Sequence, residues 1–322
     1  MDNVAFDQLF AALTKQQLSF EEAAELRGWL AGIDQGTQCL AIIEETARGR
    51  PCPHCGGARL HRCGHASSLQ RYRCLGCRRS HNALTGTPLA RLRKREHWLA
   101  YLQCALDACT IRAAARRVGV HRTTSFRWRH RFVPAASRQR PPVLGGIVEA
   151  DETYLLESQK GSRDMQRPAR KRGGVARWRG INGTHDCVLV ARDRTGCALD
   201  FYAGCGPLTT ARLAACLGKV LAPDAMLFTD GATAYRQFAK RAGIAHAWVN
   251  ASAGEHVRGD VHLQNVKGWH AGFKGWLLRF CGVASRYLEH YSGWWRVLDE
   301  HRLTSPPALL VVAAQRCAAQ RH

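Results

Sequence analysis

The chain has 322 residues, of which 46% are hydrophobic, and 47 Lys and Arg residues against 25 Asp and Glu residues give it a formal net charge of +22. A chain of this length exceeds what one compact core accommodates, so we expect two or three domains. No apolar run approaches the roughly 20 residues that cross a bilayer, and the first residues lack the basic-then-apolar pattern of a secretory signal. We therefore exclude a membrane protein and expect a cytoplasmic one.

The positive charge is concentrated in one part of the chain. Residues 1–45 contain eight acidic and two basic residues, whereas residues 46–150 contain 21 basic and three acidic residues. A solubilising surface usually mixes both signs, and a basic block of this density attracts a polyanion, of which double-stranded DNA is the densest common example. The charge pattern therefore predicts a DNA-binding, nucleoid-associated protein.

Residues 1–45 are predicted to form an acidic helical segment. Apolar residues recur there at helical spacing, namely Phe6, Leu9, Phe10 and Leu13. Ser19 followed by Glu22 fits a capping box that opens a second helix, which we expect to continue through Leu30. A packing or partner-binding role is the simplest interpretation of this segment.

Residues 46–95 contain two C-x-x-C pairs at the spacing of a zinc ribbon. The four cysteines are Cys52, Cys55, Cys74 and Cys77, and 18 residues separate the two pairs. Each pair can supply two thiolates to one tetrahedral Zn²⁺ ion, and four protein ligands leave no position for a catalytic water, so the zinc is expected to be structural. In a chain without a secretory signal, a metal site explains these cysteines better than disulfides. The intervening residues His54, Cys63 and His65 are expected to be bystanders.

Residues 96–133 have the outline of a helix-turn-helix. A small-residue helix from Ala113 to Val118 is followed by a turn at Gly119 and by a second, basic helix. The side chains of this second helix that we expect to contact DNA are Arg122, Thr123, Thr124, Arg127 and Arg129. Arginine can bridge guanine edges in the major groove, and both residue types bind phosphates. Phe126 and Trp128 cannot both face outward. The alternative is a basic amphipathic helix without DNA contact.

The sequence changes character after this helix. Residues 134–144 are rich in Pro, Arg and Ser and are predicted to be a linker. Four predicted strands then alternate with helical segments, which indicates an α/β domain over residues 145–300 and a C-terminal tail over residues 301–322. The first strand carries Asp151 and the fourth ends at Asp230. The expected fold is therefore multi-domain: a helical segment, a zinc ribbon, a helix-turn-helix and an α/β domain.

Asp151 and Asp230 are candidate ligands for Mg²⁺ or Mn²⁺. Hard divalent cations prefer carboxylate oxygens and keep coordination positions open for water and phosphate. Two such ions about 4 Å apart activate the attacking oxygen and stabilise the leaving oxygen in phosphodiester chemistry. Two aspartates 79 residues apart are weak evidence by themselves, because many buried aspartates only cap turns.

Seven motifs of the chain occur in an order that resembles a known family. They are CPHCGG, YRCLGCRRSHNALTGTPLARL, HRTTSFRWRHRF, GIVEADETYLLESQKG, RPARKRGG, LVARDRTG and FTDGATAY. Together they look like the small zinc-ribbon transposases of bacterial insertion sequences, which carry an RNase H-like DDE-type catalytic domain, over about residues 50–296. The resemblance implies binding of terminal inverted repeats, release of a 3′ hydroxyl at the transposon end, and attack of that hydroxyl on target DNA. It also implies a homo-oligomer on paired DNA ends.

The resemblance assigns roles to individual residues. Asp151 matches the first metal-binding acid and Asp230 the second, while the adjacent Glu152 should point to the opposite face of its strand and have a structural role. The third ligand in similar proteins is Glu, Asn or His on a later helix, and a lysine follows it by seven residues. Lys274 fits that lysine and could hold a terminal phosphate, which leaves Lys267 at the expected position of the third ligand.

Lys267 is a departure from the family pattern. An ammonium group beside two divalent cations is repelled by several kcal/mol even at an effective dielectric constant of about 20, so we do not expect it to be a ligand. His270 shares a helix face with Lys267 and is the better substitute. Asn265 would serve only if the helix began after it and the backbone there were irregular. His262 and Glu255 are more distant candidates, and a site with two aspartates alone is a further alternative.

The sequence thus supports two functions of different classes. The first is a DNA transposase that cleaves and transfers strands. The second is a catalytically impaired or repurposed transposase that only binds DNA, for example as a repressor. A zinc-ribbon transcription factor unrelated to transposition would not explain the acidic pair or the size of the C-terminal half.

Overall fold

The computed structural model describes residues 19–165, 167–170, 174–250 and 253–316, with the side chains of residue 20 and of residues 22–33 left aside. It divides into two compact units, one of residues Met1–Gln103 with Ala314–His322 and one of residues Cys104–Ala313. The helix predicted around Phe6 to Leu13, the side chain of Glu22 and the end of the predicted tail lie outside the described part.

The first unit combines one long helix with a small antiparallel sheet. Helix α1 begins at Phe20, directly after Ser19, and continues well past Leu30 to Ala47. The three strands, in spatial order, are β1 (Leu60–Ala66), β2 (Leu69–Cys74) and β3 (Ser80–Asn82). The side chain of Glu44 in α1 accepts a hydrogen bond from the backbone of Gln70 in β2 at 2.7 Å, and Leu69 is fully buried. The end of α1 is thus held against the sheet.

Two helices flank the predicted turn at Gly119. Helix α2 (Trp98–Leu106) contains the boundary between the units, and α3 (Ile111–Val118) and α4 (Arg122–Ser137) follow in the second unit. The Thr110 side chain accepts a hydrogen bond from the Ala113 amide at 3.1 Å and so caps α3. Gly119 ends α3 with a φ of 71°, a left-handed conformation that glycine adopts without steric cost.

Helix α4 extends past residue 134, where the sequence predicts the start of a linker. Residues Ala135, Ala136 and Ser137 are buried. Ser137 lies so close to Gly293 that a Cβ atom on that glycine would come within 2.4 Å of the Ser137 Cβ. Arg296 donates hydrogen bonds to the backbone carbonyls of Ser137 and Gln139 at 2.6 and 2.5 Å. Pro134 removes one backbone donor from the helix, but burial of the following turn offsets that loss.

A five-stranded mixed sheet forms the centre of the second unit, as the predicted α/β domain requires. Its strands are β4 (Ile147–Leu156), β5 (His185–Asp193), β6 (Ala198–Cys205), β7 (Met226–Thr229) and β8 (Ala245–Trp248). Their spatial order is β6-β5-β4-β7-β8, in which the first three are antiparallel neighbours and β4, β7 and β8 are parallel. The long segment between β4 and β5 is tied at its base, where Arg167 and Arg170 donate to the Glu157 carbonyl.

Helices cover both faces of this sheet. One apolar cluster contains Val148 and Ala150 of β4 together with residues of α5 (Thr210–Leu217) and α6 (Thr233–Ala242). The other contains apolar residues of α7 (Gln264–Leu278) and α8 (Leu288–Asp299), and in α7 these are Val266, Trp269, Phe273 and Trp276. The aromatic residues of α7 are therefore core residues. A short hairpin of β9 (Val257–Arg258) and β10 (Val261–His262) precedes α7, and α9 (Pro306–Ala313) ends the unit.

Among the described residues, no helix combines the length and the apolar character needed to cross a membrane.

Candidate active site

The sheet places Asp151 on β4 and Asp230 directly after the end of the neighbouring strand β7. Glu149 of β4 pairs with Phe228 of β7 in the parallel ladder. Asp151 and Asp230 each lie two residues further along, and Asp230 follows the last residue of β7. Because side chains alternate along a strand, both aspartates project to the sheet face on which Phe228 packs against the cluster of α7 and α8.

The two carboxylates influence each other electrostatically. Burial, together with the negative charges of Glu152 and Asp230, raises the pKa of Asp151 from 3.8 to about 7. The positive charge of Lys267 acts in the opposite direction. Like charges held close together are typical of a site that binds a cation. The oxygen donors of this pair fit Mg²⁺ or Mn²⁺.

His270 is the predicted third-ligand candidate that lies beside Asp151. Its ring is 7% exposed, and its Nδ1 atom is 3.7 Å from Oδ2 of Asp151. Burial lowers the pKa of His270 to about 3, with a smaller contribution from the charge of Lys274, so the ring is neutral at physiological pH. Within the described part of the chain, its Nε2 atom is buried and has no hydrogen-bond partner.

The other candidates for the third ligand have different surroundings. Asn265 lies inside α7, which begins at Gln264 as a regular helix, and its Nδ2 donates to Oε1 of Glu149 at 2.8 Å. His262 lies with Nδ1 3.3 Å from the same oxygen. Glu255 accepts a hydrogen bond from the backbone of Asn250. None of these contacts involves Asp151 or Asp230. Lys267 is exposed.

Glu149 is a buried residue of this region that the sequence reasoning missed. It is 0% exposed, and one carboxylate oxygen accepts hydrogen bonds from the backbone amides of Asn265 and Val266 at 2.9 and 3.1 Å. The other oxygen is 3.3 Å from both Arg194 Nη1 and His262 Nδ1. Glu149 therefore caps the start of α7, where two amides would otherwise lack acceptors. Its position two residues before Asp151, on the same strand face, is the signal that could have revealed it.

Glu152 points away from this face. Its carboxylate accepts hydrogen bonds from the hydroxyl of Tyr235 at 2.6 Å and from that of Tyr154 at 3.3 Å. Tyr235 belongs to the cluster of α5 and α6. Strand alternation thus separates the adjacent acids Asp151 and Glu152 in the predicted way.

Lys274 is exposed one helical turn after His270. It lines a cavity of about 440 Å³ with Tyr154, Ser158 and Asp186 among other residues. Its charge is close enough to His270 to lower the pKa of that ring. An exposed ammonium group beside a concave surface can hold a phosphate group.

The four cysteines of the first unit converge on one point. All four sulfur atoms lie within 4.8 Å of one another, with Cys52 and Cys77 3.7 Å apart and Cys55 and Cys74 3.6 Å apart. Tetrahedral zinc with bonds of about 2.3 Å gives sulfur separations of about 3.8 Å, so this cluster is compatible with a structural zinc site. Among the residues that the structure describes, it is the only group of three or more potential ligands that converges in this way.

Most of the predicted DNA contacts on α4 are accessible, and one is not. Arg122, Thr123 and Arg127 are exposed, and Thr124 is half-buried. Arg129 is fully buried, so its prediction as a DNA contact is wrong. Its Nη2 atom donates to the Cys109 carbonyl at 2.6 Å, and its guanidinium lies 4.8 Å from the Trp294 ring centroid and 5.6 Å from that of Phe280. Trp128 is 2% exposed and Phe126 is 39% exposed, so one of these two aromatic side chains packs inward as expected.

Comparisons with known proteins point to mobile DNA elements. Residues 143–294 match the family model described as the ISXO2-like transposase domain. A curated relative named "Uncharacterized protein in transposable element ISH50", from Halobacterium salinarum, is 30% identical over 243 residues, which are 74% of this chain and 82% of that relative. The solved structures that resemble the chain include a pre-cleavage Mos1 transpososome, with a TM-score of 0.23, 16% identity and coverage of 69% of this chain and 79% of that one. They also include the Mos1 strand transfer complex, with a TM-score of 0.19, 19% identity and coverage of 63% and 75%.

Proposed function

Because the chain belongs to the insertion-sequence transposases with an ISXO2-like, DDE-type domain, we propose that it binds the ends of its own element and catalyses metal-dependent cleavage and transfer of DNA strands. The observation that carries this proposal is the parallel pairing of β4 with β7, which ends two residues before Asp151 and Asp230, together with the electrostatic effect of Asp230 on Asp151. The strand order, with Asp151 on β4 and Asp230 directly after the neighbouring strand β7, supports an RNase H-like architecture for the catalytic unit.

Asp151 and Asp230 would hold Mg²⁺ or Mn²⁺. A bound divalent cation stabilises the charge that develops on the phosphate oxygens during hydrolysis and transesterification. The chain's own contribution is to keep both carboxylates on a rigid sheet next to α7. The neutral ring of His270 is the best-placed third donor, since its Nδ1 is 3.7 Å from Asp151. Asn265 is less suitable because Glu149 already holds its side chain.

DNA would be bound by separate parts of the chain. The exposed residues Arg122, Thr123 and Arg127 of α4, with Thr124 beside them, would contact the transposon ends. Lys274 would hold a phosphate of the strand that enters the metal site. The cysteine cluster, as a structural zinc ribbon, would stabilise the first unit. A homo-oligomer would bring two ends together, which sedimentation of the DNA complex can test.

A second function, DNA binding without catalysis, is favoured by one observation. Lys267 occupies the expected third-ligand position, and its charge already acts on Asp151. The ammonium group competes with a cation for the same carboxylate, so metal binding is weakened. A protein of this kind would bind transposon ends and block access to them.

A strand-cleavage assay separates the two functions. Double-stranded DNA that carries the element's own ends is incubated with the full chain in Mg²⁺ or Mn²⁺, and released 3′ ends are quantified. An active transposase cuts, and Asp151→Ala and Asp230→Ala abolish cutting while DNA binding persists. If the wild type binds but does not cut and Lys267→Asn or Lys267→Glu restores cutting, the chain is an impaired transposase. The matched control is Lys240→Asn, which removes an exposed lysine of α6. Failure to bind these ends at all would contradict both functions.

A further inference from the structure

A cavity of about 810 Å³ lies between the start of α4 and the segment that follows α7. We call it the aromatic pocket, because one wall is made by Phe126, His130 and Tyr287. The rings of His130 and Tyr287 are stacked with centroids 3.8 Å apart, and the Phe126 ring meets His130 edge-on at 4.4 Å. Burial lowers the pKa of His130 to about 4, so this wall carries no charge at physiological pH.

The rim of the aromatic pocket is positively charged. Arg112, Arg122 and Arg286 line it and are exposed, and no aspartate or glutamate is found among the described residues that line it. None of these three arginines forms an ion pair with a carboxylate of the described chain. Arg286 lies 4.9 Å from the Tyr287 ring centroid. An uncharged aromatic wall with an unneutralised cationic rim is complementary to a nucleotide, which has a flat base and an anionic phosphate.

The part of α4 that carries Phe126 and His130 is not available to a DNA groove. A recognition helix reads base edges by entering the major groove with one face free. On the face that carries Phe126 and His130, Tyr287 stacks on His130 and covers it. Phe126 is nevertheless 39% exposed, and its open side faces the pocket. A double helix is too wide to enter a cavity of this size, whereas a single unpaired nucleotide fits it.

We propose that the aromatic pocket binds one unpaired nucleotide of a DNA strand, with its base stacked on Phe126 and its phosphate held by the arginine rim. The inference rests on the proposed function, because a transposase that works on DNA ends handles strands that leave the duplex. It adds to that function a binding site that is distinct from the proposed metal site and from Arg127 further along α4, and that shares Arg122 with the proposed contacts to the transposon ends.

A binding assay with two single-stranded probes tests this site. The probes are a fluorescent oligothymidine and a backbone-matched oligomer of abasic residues, each titrated with the full chain at fixed salt. Base stacking on an aromatic side chain changes affinity by about tenfold, so wild type should bind oligothymidine about tenfold more tightly than the abasic probe. Phe126→Leu should remove this preference without weakening binding of the abasic probe. Phe126→Tyr, which keeps an aromatic face, should retain the preference.

The arginine rim is tested with the same probes. Arg286→Gln should weaken binding of both probes by the same factor, because the Arg286 guanidinium is proposed to bind phosphate, which both probes carry. The matched control is Arg236→Gln, which changes an exposed arginine of α6. A base preference that survives Phe126→Leu would overturn the proposal, as would tighter binding of an RNA oligomer than of the DNA probe. Binding of double-stranded DNA is measured in parallel. A wild-type chain that shows no base preference but binds double-stranded DNA contradicts only the aromatic pocket, whereas a wild-type chain that does not bind double-stranded DNA contradicts the proposed function.

Discussion

Substitution of Glu149 is expected to loosen α7 from the sheet while the rest of the second unit stays folded. Glu149 is fully buried and makes three hydrogen bonds to the start of α7, two from the backbone amides of Asn265 and Val266 and one from the Asn265 side chain. Arg194 and His262 lie 3.3 Å from the same carboxylate. Removing this group leaves the helix amides without their acceptor and the Arg194 guanidinium without its carboxylate partner.

The size of the effect follows from these contacts. Removing one partner of a buried ion pair costs about 3–5 kcal/mol, and the Arg194 side chain is 30% exposed, so water can replace part of the lost interaction. We therefore expect Glu149→Ala to lower the free energy of unfolding by about 3 kcal/mol. Glu149→Gln keeps the shape of the side chain and one acceptor but loses the charge. Because hydrogen bonds to charged groups are worth about 1.5–3 kcal/mol, we expect this substitution to lower the free energy of unfolding by about 2 kcal/mol.

Urea unfolding measures the global effect, and hydrogen exchange of the α7 amides measures the local one. In Glu149→Gln, the amides of Asn265 and Val266 should exchange faster than in the wild type. The matched control is Glu152→Gln on the same strand, where the lost partner is the Tyr235 hydroxyl and not α7. Unchanged exchange in α7 of Glu149→Gln, or equally accelerated exchange in Glu152→Gln, would refute the capping role.

Three further predictions concern the metal sites and α4. Purified chain should contain one zinc ion that is lost in Cys74→Ser and kept in Cys63→Ser, as metal analysis can check, because Cys63 is not part of the converging cluster. Arg127→Met should weaken binding of double-stranded DNA and reduce its salt slope by about 1, whereas Arg129→Met should change neither, because Arg129 is buried. The pKa of Asp151 is about 7 in the folded chain against 3.8 ordinarily, so its ionisation destabilises the metal-free fold as pH rises through that interval. Asp151→Asn should therefore stabilise the metal-free chain by about 2–4 kcal/mol at about pH 8 and not at about pH 4, as thermal unfolding at the two pH values can check.

The parts of the structure that follow from local spacing could be predicted from the sequence. The spacing within and between the two C-x-x-C pairs sufficed to group four sulfur atoms that lie within 4.8 Å of one another. The apolar alternation around Asp151 gave a strand and the direction of Glu152, because alternation is a property of the strand alone. The chain position of the helix with Lys274 came from the resemblance to the transposase family and not from local spacing.

Arg129 illustrates what local spacing cannot give. It lies among exposed basic residues of α4, and its charge alone suggested a DNA contact. Its burial depends on Trp294 and Phe280, which come from more than a hundred residues later in the chain. The interaction of a guanidinium with aromatic faces offsets the loss of water around the charge, and nothing in the local sequence reports such distant partners.

The predicted linker differs from the structure for a similar reason. Pro134 and the polar residues after it have the composition of a loop. The turn that follows Pro134 is nevertheless helical and buried, since Gly293 allows close approach of α8 and Arg296 binds the carbonyls at its end. Composition measures the preference of an isolated segment, and tertiary packing overrides it here.

The placement of α7 does not depend on the residue at its third-ligand position. A glutamate on an interior strand face needs donors, because a buried unpaired carboxylate is costly, and the amides at the start of α7 supply them for Glu149. Strand alternation in the sequence places Glu149 on the same face of β4 as Asp151, but it could not identify α7 as the helix that contacts this face. The contact between Glu149 and the start of α7 involves neither a metal nor Lys267. His270 and Lys274 therefore keep their positions although a lysine stands where the family resemblance predicts the third ligand. A single change at Lys267 should therefore alter the charge at the proposed metal site without moving α7, so recovery of cleavage in Lys267→Asn would directly measure how much that charge reduces activity.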